Sequence, residues 1–547
     1  MRYTLTTICG NGILINAIPL RRIYKALKII RVILLLFSMY GYTQYLVSKR
    51  KLKIELALPV LLSAIGAAVF LAGLLNVMKE VSALIFLFGA ALGVISLKRR
   101  YALRELFTAG TVFCAVAAAV LLFLSYGVKF INYDNLSHWA TVVRLLVTEN
   151  RFPNFEDTVI SFQSYPPGSA SLIYYFAKIT GIRSEWFFMW VQQVATVCFA
   201  GSLFVFCRKE RPLEYISAAV TAFCSLFCIP GLSILSGILV DELLACLSIA
   251  GIAVCYCCRE EPQKLLFAIT PITVFLVTVK NSGIFFAAIL LIFCVYLIVQ
   301  SGNRKMLICP KNILALLSPF IMLFLWKKHV AYAFQSGMTA RHSMSLENYE
   351  KMFSQKTPEI ISQITGSFLE RVFAFDNPFF IILIILLVAL LFIKLKKVKV
   401  PLCCGTVVLM IGTYLVYQIG NFGMYMFSMP NDEAVILACY DRYHMTGIVF
   451  IAGVLWIFLM QICHTFEKQV ALKKPKRTIL HIVSVTAISA AIWFSATPIA
   501  NSLKTVPYAG SKRQSSTASW KNMTSMYPAI KHMPSFGILT IPITPSF

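Results

Sequence analysis

The residues best suited to chemistry in this sequence begin with Asp134 and His138, which follow a long apolar stretch. If a helix begins at Asp134, His138 lies four residues further on and shares its face. A carboxylate and an imidazole placed together can exchange protons with a substrate hydroxyl. Aspartate is also a preferred helix-capping residue, and an exposed histidine often has no chemical role, so this spacing leaves a structural interpretation open.

A second acidic pair, Asp241 and Glu242, lies near one end of another apolar stretch. Carboxylates are costly in apolar surroundings and tend to be paired or functional there. Asp241, Glu242 or His138 could hold a divalent cation or orient the acceptor substrate. Asp241 and Glu242 could equally be a helix-end pair that reaches towards water, and the use of a metal ion stays open.

Lys280 is the first of two basic residues with a candidate role, in a short turn between two apolar helices. Its neighbour Gly283 permits a tight reversal of the chain. A lysine at this position suits the phosphate of an anionic lipid. Simple solvation of the turn is the alternative.

Arg442 lies in the densest polar cluster of the chain, residues 430–444. Its guanidinium group suits bidentate binding of a phosphate, and the flanking Tyr440 and Tyr443 could bracket a sugar or an isoprenoid headgroup. Asp441 could instead neutralise Arg442, which would make the cluster structural. Asp441 and His342 are also candidates for binding an acceptor or a metal ion.

The elements that must position these residues are membrane spans, because 59% of the residues are hydrophobic and 13% are charged. A bilayer core of about 30 Å requires about 20 apolar residues per helix, and such runs recur along most of the chain. The sequence therefore predicts an all-α polytopic membrane protein with about 11 to 14 transmembrane helices. The candidate spans are residues 28–46, 55–77, 81–97, 105–127, 186–207, 214–230, 235–257, 265–280, 283–300, 312–326, 379–395, 401–419, 444–463 and 478–499.

The net charge of +27 does not indicate a nucleic-acid partner, because the positions of the basic residues are those that set the topology of a membrane protein. The lysines and arginines concentrate in short connections between spans, and no nucleic-acid-binding motif accompanies them. One threading places all of the strongly basic connections in the cytoplasm: residues 98–104, 208–211, 259–264, 304–311, 394–399 and 468–477. The first span is ambiguous, because residues 21–31 and 49–53 are both basic.

The same threading places four longer segments outside: residues 127–185, 327–378, 420–443 and the tail 501–547. In the first of them, a helix capped by Asp134 or Asn135 has an apolar face and is predicted to lie flat on the membrane. Pro166 and Pro167 precede a second short helix that ends at Gly181 and is also predicted at the surface. The segment 327–378 is predicted to be a mobile loop that covers the substrate.

An acidic residue after a span, a surface helix, a Pro-Pro turn, a short helix ending at Gly181 and an aromatic-led span beginning at Trp186 together resemble the first outer loop of GT-C glycosyltransferases. The resemblance covers about residues 105–500, so residues 1–104 form extra N-terminal helices. Two features depart from the family. Where the family usually has two acidic residues, this sequence has Asp134 followed by Asn135, and about three extra helices precede the loop.

The resemblance implies a membrane glycosyltransferase that takes its sugar from a polyprenyl-phosphate donor and inverts the anomeric centre. Asp134 is expected to deprotonate the acceptor, while Lys280 and Arg442 stabilise the departing phosphate. The resemblance further implies a multi-pass protein of the bacterial cytoplasmic membrane with its active site outside, in contact with membrane lipids. The acceptor, whether a glycan, a lipid or a protein, is not specified.

Three other functions stay open from the sequence. A polymerase or ligase of lipid-linked oligosaccharides would use the segment 327–378 to grip its acceptor. A transporter or flippase would carry ionisable residues at mid-depth, whereas polar residues here collect near one face, which favours chemistry at that face. A purely structural subunit is the third alternative.

Overall fold

A computed structural model describes residues 18–99, 103–130, 133–229, 234–334 and 346–470. His342, the predicted span at residues 478–499 and the tail at residues 501–547 lie outside the described residues. Within them the regular structure is entirely helical, in agreement with the all-α prediction. The α-helices are α1 (Ile18–Ser48), α2 (Ile54–Leu74), α3 (Met78–Lys98), α4 (Ala109–Ser125), α5 (Ala140–Glu149), α6 (Gly168–Thr180), α7 (Glu185–Ala200), α8 (Pro212–Phe227), α9 (Asp241–Cys258), α10 (Pro262–Val279), α11 (Gly283–Gln300), α12 (Pro310–Ala333), α13 (Leu346–Ser354), α14 (Pro358–Val372), α15 (Pro378–Lys396), α16 (Cys403–Phe427), α17 (Asn431–Val435) and α18 (Tyr440–Val470).

Eleven helical segments of the described chain are long and apolar enough to cross a membrane. They are α1, α2, α3, α7 with the 3₁₀ turn that follows it, α9, α10, α11, α12, α15, α16 and α18. The helices α4 and α8 are apolar but shorter. The chain therefore has the architecture of a multi-pass helical membrane protein.

The centre of the bundle is formed by α9, α18, α7 and α2, whose apolar stretches are 78 to 94% buried within the protein. By contrast, α1, α3, α12 and α15 are at most 22% buried in theirs. An apolar helix with so much exposed surface requires lipid around it. These four helices therefore form the periphery.

The bundle has two chemically different ends, because the basic residues that follow the helices concentrate at one of them. One end, here called the basic end, carries Lys98, Arg208, Arg259, Arg304 and Lys394 in its connections. The other end, here called the site end, is where α10 finishes and α9, α11 and α18 begin.

The ambiguity of the first helix is resolved by its direction relative to α3. Tyr45 and Lys49 surround one cavity together with Leu92 and Arg99, so α1 and α3 run parallel and both finish at the basic end. Close packing of their backbones at Gly41, Gly89 and Gly93 holds the two helices together. Residues 49–53 thus join the other basic connections, and residues 21–31 depart from the pattern.

The apolar faces of the two helices predicted on the membrane surface pack against protein, so the predicted contact of these faces with lipid is wrong. In α5, Val143 and Leu146 are at most 1% exposed, and in α6, Tyr174 and Tyr175 are fully buried. The helix α6 packs mainly against α2. Their apolar faces are covered by neighbouring helices and not by lipid.

The segment 327–378, predicted as a loop, is largely helical where it is described. The helix α12 continues to Ala333, and α13 and α14 follow. Trp326 in α12 donates a hydrogen bond from its indole nitrogen to the carbonyl oxygen of Ser164, at 3.0 Å. The start of this segment is therefore attached to residues 127–185, here called the first outer region.

Candidate functional site

Four charged side chains form a continuous ionic chain at the site end. Arg442 donates a hydrogen bond to Asp134 at 2.8 Å, and its Nε lies 3.7 Å from one carboxylate oxygen of Asp241. The other oxygen of Asp241 accepts a hydrogen bond from the Lys280 ammonium at 2.7 Å. The order Asp134, Arg442, Asp241, Lys280 alternates in charge, and we refer to these four residues as the ionic chain.

Exposure changes along the ionic chain. The Asp134 side chain is 29% exposed and that of Arg442 is 16% exposed, whereas Asp241 and Lys280 are 4% and 9% exposed. Asp134 therefore faces solvent, and the pair of Lys280 and Asp241 is almost enclosed. Opposite charges in such positions need their partners, since an unpaired buried charge is strongly unfavourable.

Helix ends stabilise two charges of the ionic chain, those of Asp241 and Lys280. Asp241 is the first residue of α9. Arg442 is a cation in the first turn of α18, where the helix dipole is unfavourable to it, and its charge is compensated by Asp134 and Asp241. Lys280 directly follows α10. A carboxylate at a helix N-terminus and an ammonium at a helix C-terminus both interact favourably with the helix dipole.

The approach to Asp241 differs from the prediction of a span at residues 235–257, because α9 begins at Asp241. The described part of the preceding segment is held by the buried Asn135, whose side-chain oxygen accepts a hydrogen bond from the backbone N–H of Ile238 at 3.1 Å. Asp241 and Glu242 thus occupy the first turn of the helix. Asn135 stands where the resemblance leads one to expect a second acidic residue, and its contact here is structural.

Two close backbone approaches fix the turn that carries Lys280. A Cβ atom at Gly283 would collide with the carbonyl oxygen of Leu276, and one at Gly168 would collide with the backbone of Thr278. The N-terminus of α6 therefore packs directly against the end of α10. The predicted tight reversal at Gly283 is confirmed, and it requires glycine because the Leu276 carbonyl oxygen leaves no room for a Cβ atom.

Tyr443 contacts two members of the ionic chain, Arg442 and Lys280. Its hydroxyl accepts a hydrogen bond from Arg442 at 3.2 Å, and the Lys280 ammonium lies 4.9 Å from the centre of its ring. The other tyrosine of the predicted bracket, Tyr440, stacks on His444 instead, with 5.3 Å between ring centres.

Asp441 does not neutralise Arg442, so that alternative is wrong. Its carboxylate is 59% exposed and lies 3.5 Å from the guanidinium of Arg371. The neutralising role belongs to Asp134 and Asp241, which are distant from Arg442 in sequence. Helical geometry explains the difference, because adjacent residues on a helix point in different directions.

His138 lies outside the ionic chain, in a short π-helical turn formed by residues 135–139. Its side chain is 2% exposed and is enclosed by the rings of Trp139, Phe162 and Tyr165. Burial lowers the pKa of His138 to about 3, so the imidazole is neutral. A proton-exchanging pair of His138 with Asp134 has no support in this geometry.

Glu242 is buried next to the ionic chain. Its side chain is 4% exposed, and its Oε1 has no hydrogen-bond partner within the described part of the chain. In the same residues no group of three or more histidine, cysteine, aspartate or glutamate side chains is close enough to hold a metal ion. Asp134 and Asp241 are each held by basic side chains instead.

Two cavities meet at the ionic chain. The first has a volume of about 400 Å³, is mainly apolar and includes Lys280 and Tyr443 among its lining residues. The second, of about 810 Å³, is more open and is lined by Arg442 together with Asp441 and Arg371. We call them the apolar cavity and the open cavity; Lys280 contacts the first and Arg442 the second.

Tyr165 is a cavity residue that the sequence analysis did not single out. It lines the apolar cavity and packs against His138 and Trp139. Burial raises the pKa of its hydroxyl well above the ordinary value. Its position directly before Pro166 was the available signal, because a Pro-Pro turn fixes the direction of the residue that precedes it.

Comparisons with models of protein families, with curated protein sequences and with solved structures give no match for this chain. The fold and the site define a class: a multi-pass helical membrane protein with a partly buried ionic chain between an apolar cavity and an open one.

Proposed function

We propose that this protein is a membrane glycosyltransferase that transfers a sugar from a polyprenyl-phosphate donor to an acceptor in the cell envelope. The observation that carries the proposal is the ionic chain between two cavities of different polarity. A donor of this class has an isoprenoid tail, which suits apolar surroundings, and a phosphate, which suits basic side chains. The resemblance to GT-C enzymes supports the same donor class.

The two cavities suit the two substrates. The donor would enter the apolar cavity, where the ammonium of Lys280 and the hydroxyl of Tyr443 lie next to apolar residues such as Phe285 and Phe427. The acceptor would enter the open cavity beside Arg442. Asp134, the most exposed member of the ionic chain, would then be the base.

The reaction is a single displacement. The acceptor hydroxyl oxygen forms a bond to the anomeric carbon while the bond from that carbon to the phosphate oxygen breaks. The bonding electron pair leaves with the polyprenyl phosphate, and the hydroxyl proton passes to Asp134. Attack opposite the leaving group inverts the anomeric configuration. Lys280 and Arg442 stabilise the charge that develops on the phosphate.

The contact between Arg442 and Asp134 gives donor binding a second consequence. The Oδ2 atom of Asp134 that contacts Arg442 is occupied by that hydrogen bond. A donor phosphate would compete with Asp134 for Arg442, which would release the carboxylate when the donor is in place. Asp241 would keep Arg442 and Lys280 in position throughout.

The test is transfer of a radiolabelled sugar from a short-chain polyprenyl-phosphate donor to membrane extract by the purified protein. We expect transfer by the unmodified protein and at least about a hundredfold less by Asp134→Asn, as for loss of a general base. Asp432→Asn is the matched control, because this exposed aspartate of α17 lies at the same end and outside the ionic chain.

Two outcomes would contradict the proposal. One is equal transfer by the Asp134→Asn protein and the unmodified protein. The other is movement of the labelled donor across vesicle membranes with no transfer and no sensitivity to Asp134→Asn, which would favour a flippase.

A further inference from the structure

A groove at the basic end has no role in the proposed sugar transfer. It has a volume of about 600 Å³ and lies between α1 and α3 on one side and α2, α10 and α12 on the other. We call it the N-terminal groove, defined by Leu46, Ile65, Phe88, Leu266, Phe267 and Ala315.

The depth of the groove is apolar, and its walls include helices at the periphery of the bundle. Phe88 of α3 is 61% exposed and Ala64 of α2 is also exposed. In a membrane, exposed apolar surface of this kind faces the acyl chains of lipids. The groove therefore provides a surface for an acyl chain.

The mouth of the groove is basic. Lys311 lines the groove itself, and a neighbouring cavity of about 470 Å³ that shares Tyr45 with it is lined by Lys49, Arg50 and Arg99. None of the residues that line these two cavities in the described ranges is acidic. The charge at the mouth is thus complementary to an anion.

Arg50 is held at this position by two aromatic rings. Its guanidinium carbon lies 4.5 Å from the ring centre of Phe267 and 5.7 Å from that of Tyr45. Stacking on an aromatic face leaves the in-plane N–H groups available to bind a phosphate. Both rings also line the groove, so the cation and the apolar wall are parts of one site.

We propose that the N-terminal groove binds an anionic glycerophospholipid of the bilayer, with one acyl chain in the groove and the phosphate near Arg50 and Lys311. Basic pockets between helices at the positively charged face of membrane proteins are suited to such headgroups. The bound lipid would join the N-terminal helices α1 and α3 to α2, α10 and α12. This proposal does not rest on sugar transfer, and either can fail alone.

The experiment is native mass spectrometry of the delipidated full-length protein with phosphatidylglycerol or phosphatidylcholine of identical chains. We expect one phosphatidylglycerol to be retained with about tenfold or higher preference over phosphatidylcholine. The double variant Arg50→Gln with Lys311→Gln is expected to lose this preference. The matched control is Lys209→Gln with Lys396→Gln, which removes two exposed cations at the same end, outside the groove.

A second variant tests the apolar part without changing charge. In Ala64→Trp the indole would occupy the groove, and retention of phosphatidylglycerol is expected to fall about tenfold. Thermal unfolding without lipid shows which variants are folded. If the double variant Arg50→Gln with Lys311→Gln is unfolded, the result for Ala64→Trp decides the test. Equal retention of the two lipids, equal losses in the two double variants, or full retention by Ala64→Trp would overturn the proposal.

Discussion

The contact between Lys280 and Asp241 leads to a prediction that is independent of any function. The two charged groups are 2.7 Å apart and at most 9% exposed. Removal of one partner from a buried ion pair costs about 3 to 5 kcal/mol, because the other charge is left without compensation. We therefore expect both Lys280→Met and Asp241→Asn to lower the free energy of unfolding.

The surroundings of the pair determine the size of each effect. Lys280→Met leaves Asp241 a second cation, Arg442, at 3.7 Å, so the free energy of unfolding is expected to fall by about 3 kcal/mol. Asp241→Asn removes the one carboxylate that pairs with Lys280 among the described residues, so the free energy of unfolding is expected to fall by about 5 kcal/mol. The double variant removes both charges, so its loss should be at least about 2 kcal/mol smaller than the sum of the single losses.

The assay is unfolding of the purified protein by sodium dodecyl sulfate in mixed micelles, followed by tryptophan fluorescence. Lys264→Met is the matched control: its partner Glu261 is also a carboxylate at 3.0 Å but is 62% exposed. A change within about 0.5 kcal/mol is expected there, since exposed pairs contribute little. If the losses of the two single variants simply add in the double variant, the reasoning is refuted.

Three further predictions concern packing and protonation. The pKa of His138 is about 3 in the folded protein against 6.5 for an unperturbed histidine, so between pH 7 and pH 5 this side chain takes up a proton in the unfolded chain and not in the folded protein. Over this pH range the stability of the unmodified protein should therefore fall by about 2 kcal/mol relative to that of His138→Phe, and an identical pH dependence of the two proteins would contradict the burial of His138. Gly283→Ala would place a Cβ against the Leu276 carbonyl, and a loss of at least about 2 kcal/mol in the same micelle assay is expected, whereas an unchanged midpoint would contradict the close approach. Gly41→Val would push the backbone of Gly89 away and separate α1 from α3, which should appear as faster proteolysis of the N-terminal helices; unchanged proteolysis would count against this packing.

The spans could be predicted from the sequence because the signal is local. A run of about 20 apolar residues identifies a span wherever it occurs, and the predicted stretches at residues 283–300 and 379–395 agree closely with α11 and α15. The alternation of basic connections likewise predicted which connections share one end. Cationic residues concentrated between spans carry this information without any knowledge of packing.

The interior of the first outer region could not be predicted in the same way. An apolar face on a short helix shows that the face must be covered, but it does not show what covers it. The sequence pattern of α5 and α6 fits a membrane surface as well as a protein interior. The packing of α6 against α2 and of α5 against α6 decides for the interior.

The types of the site residues were evident from the sequence, and their partners were not. Asp134, Asp241, Lys280 and Arg442 were each identified by charge beside an apolar segment, yet the only protein partner that the sequence suggested for Arg442, as an alternative to a phosphate, was its neighbour Asp441. The partner of Arg442 is 308 residues away, because helix direction separates adjacent side chains and the fold brings distant helix ends together. Local pattern therefore determined which residues carry charge at the site end, and only the packing of α9, α10, α18 and the segment around Asp134 decided which charges compensate each other.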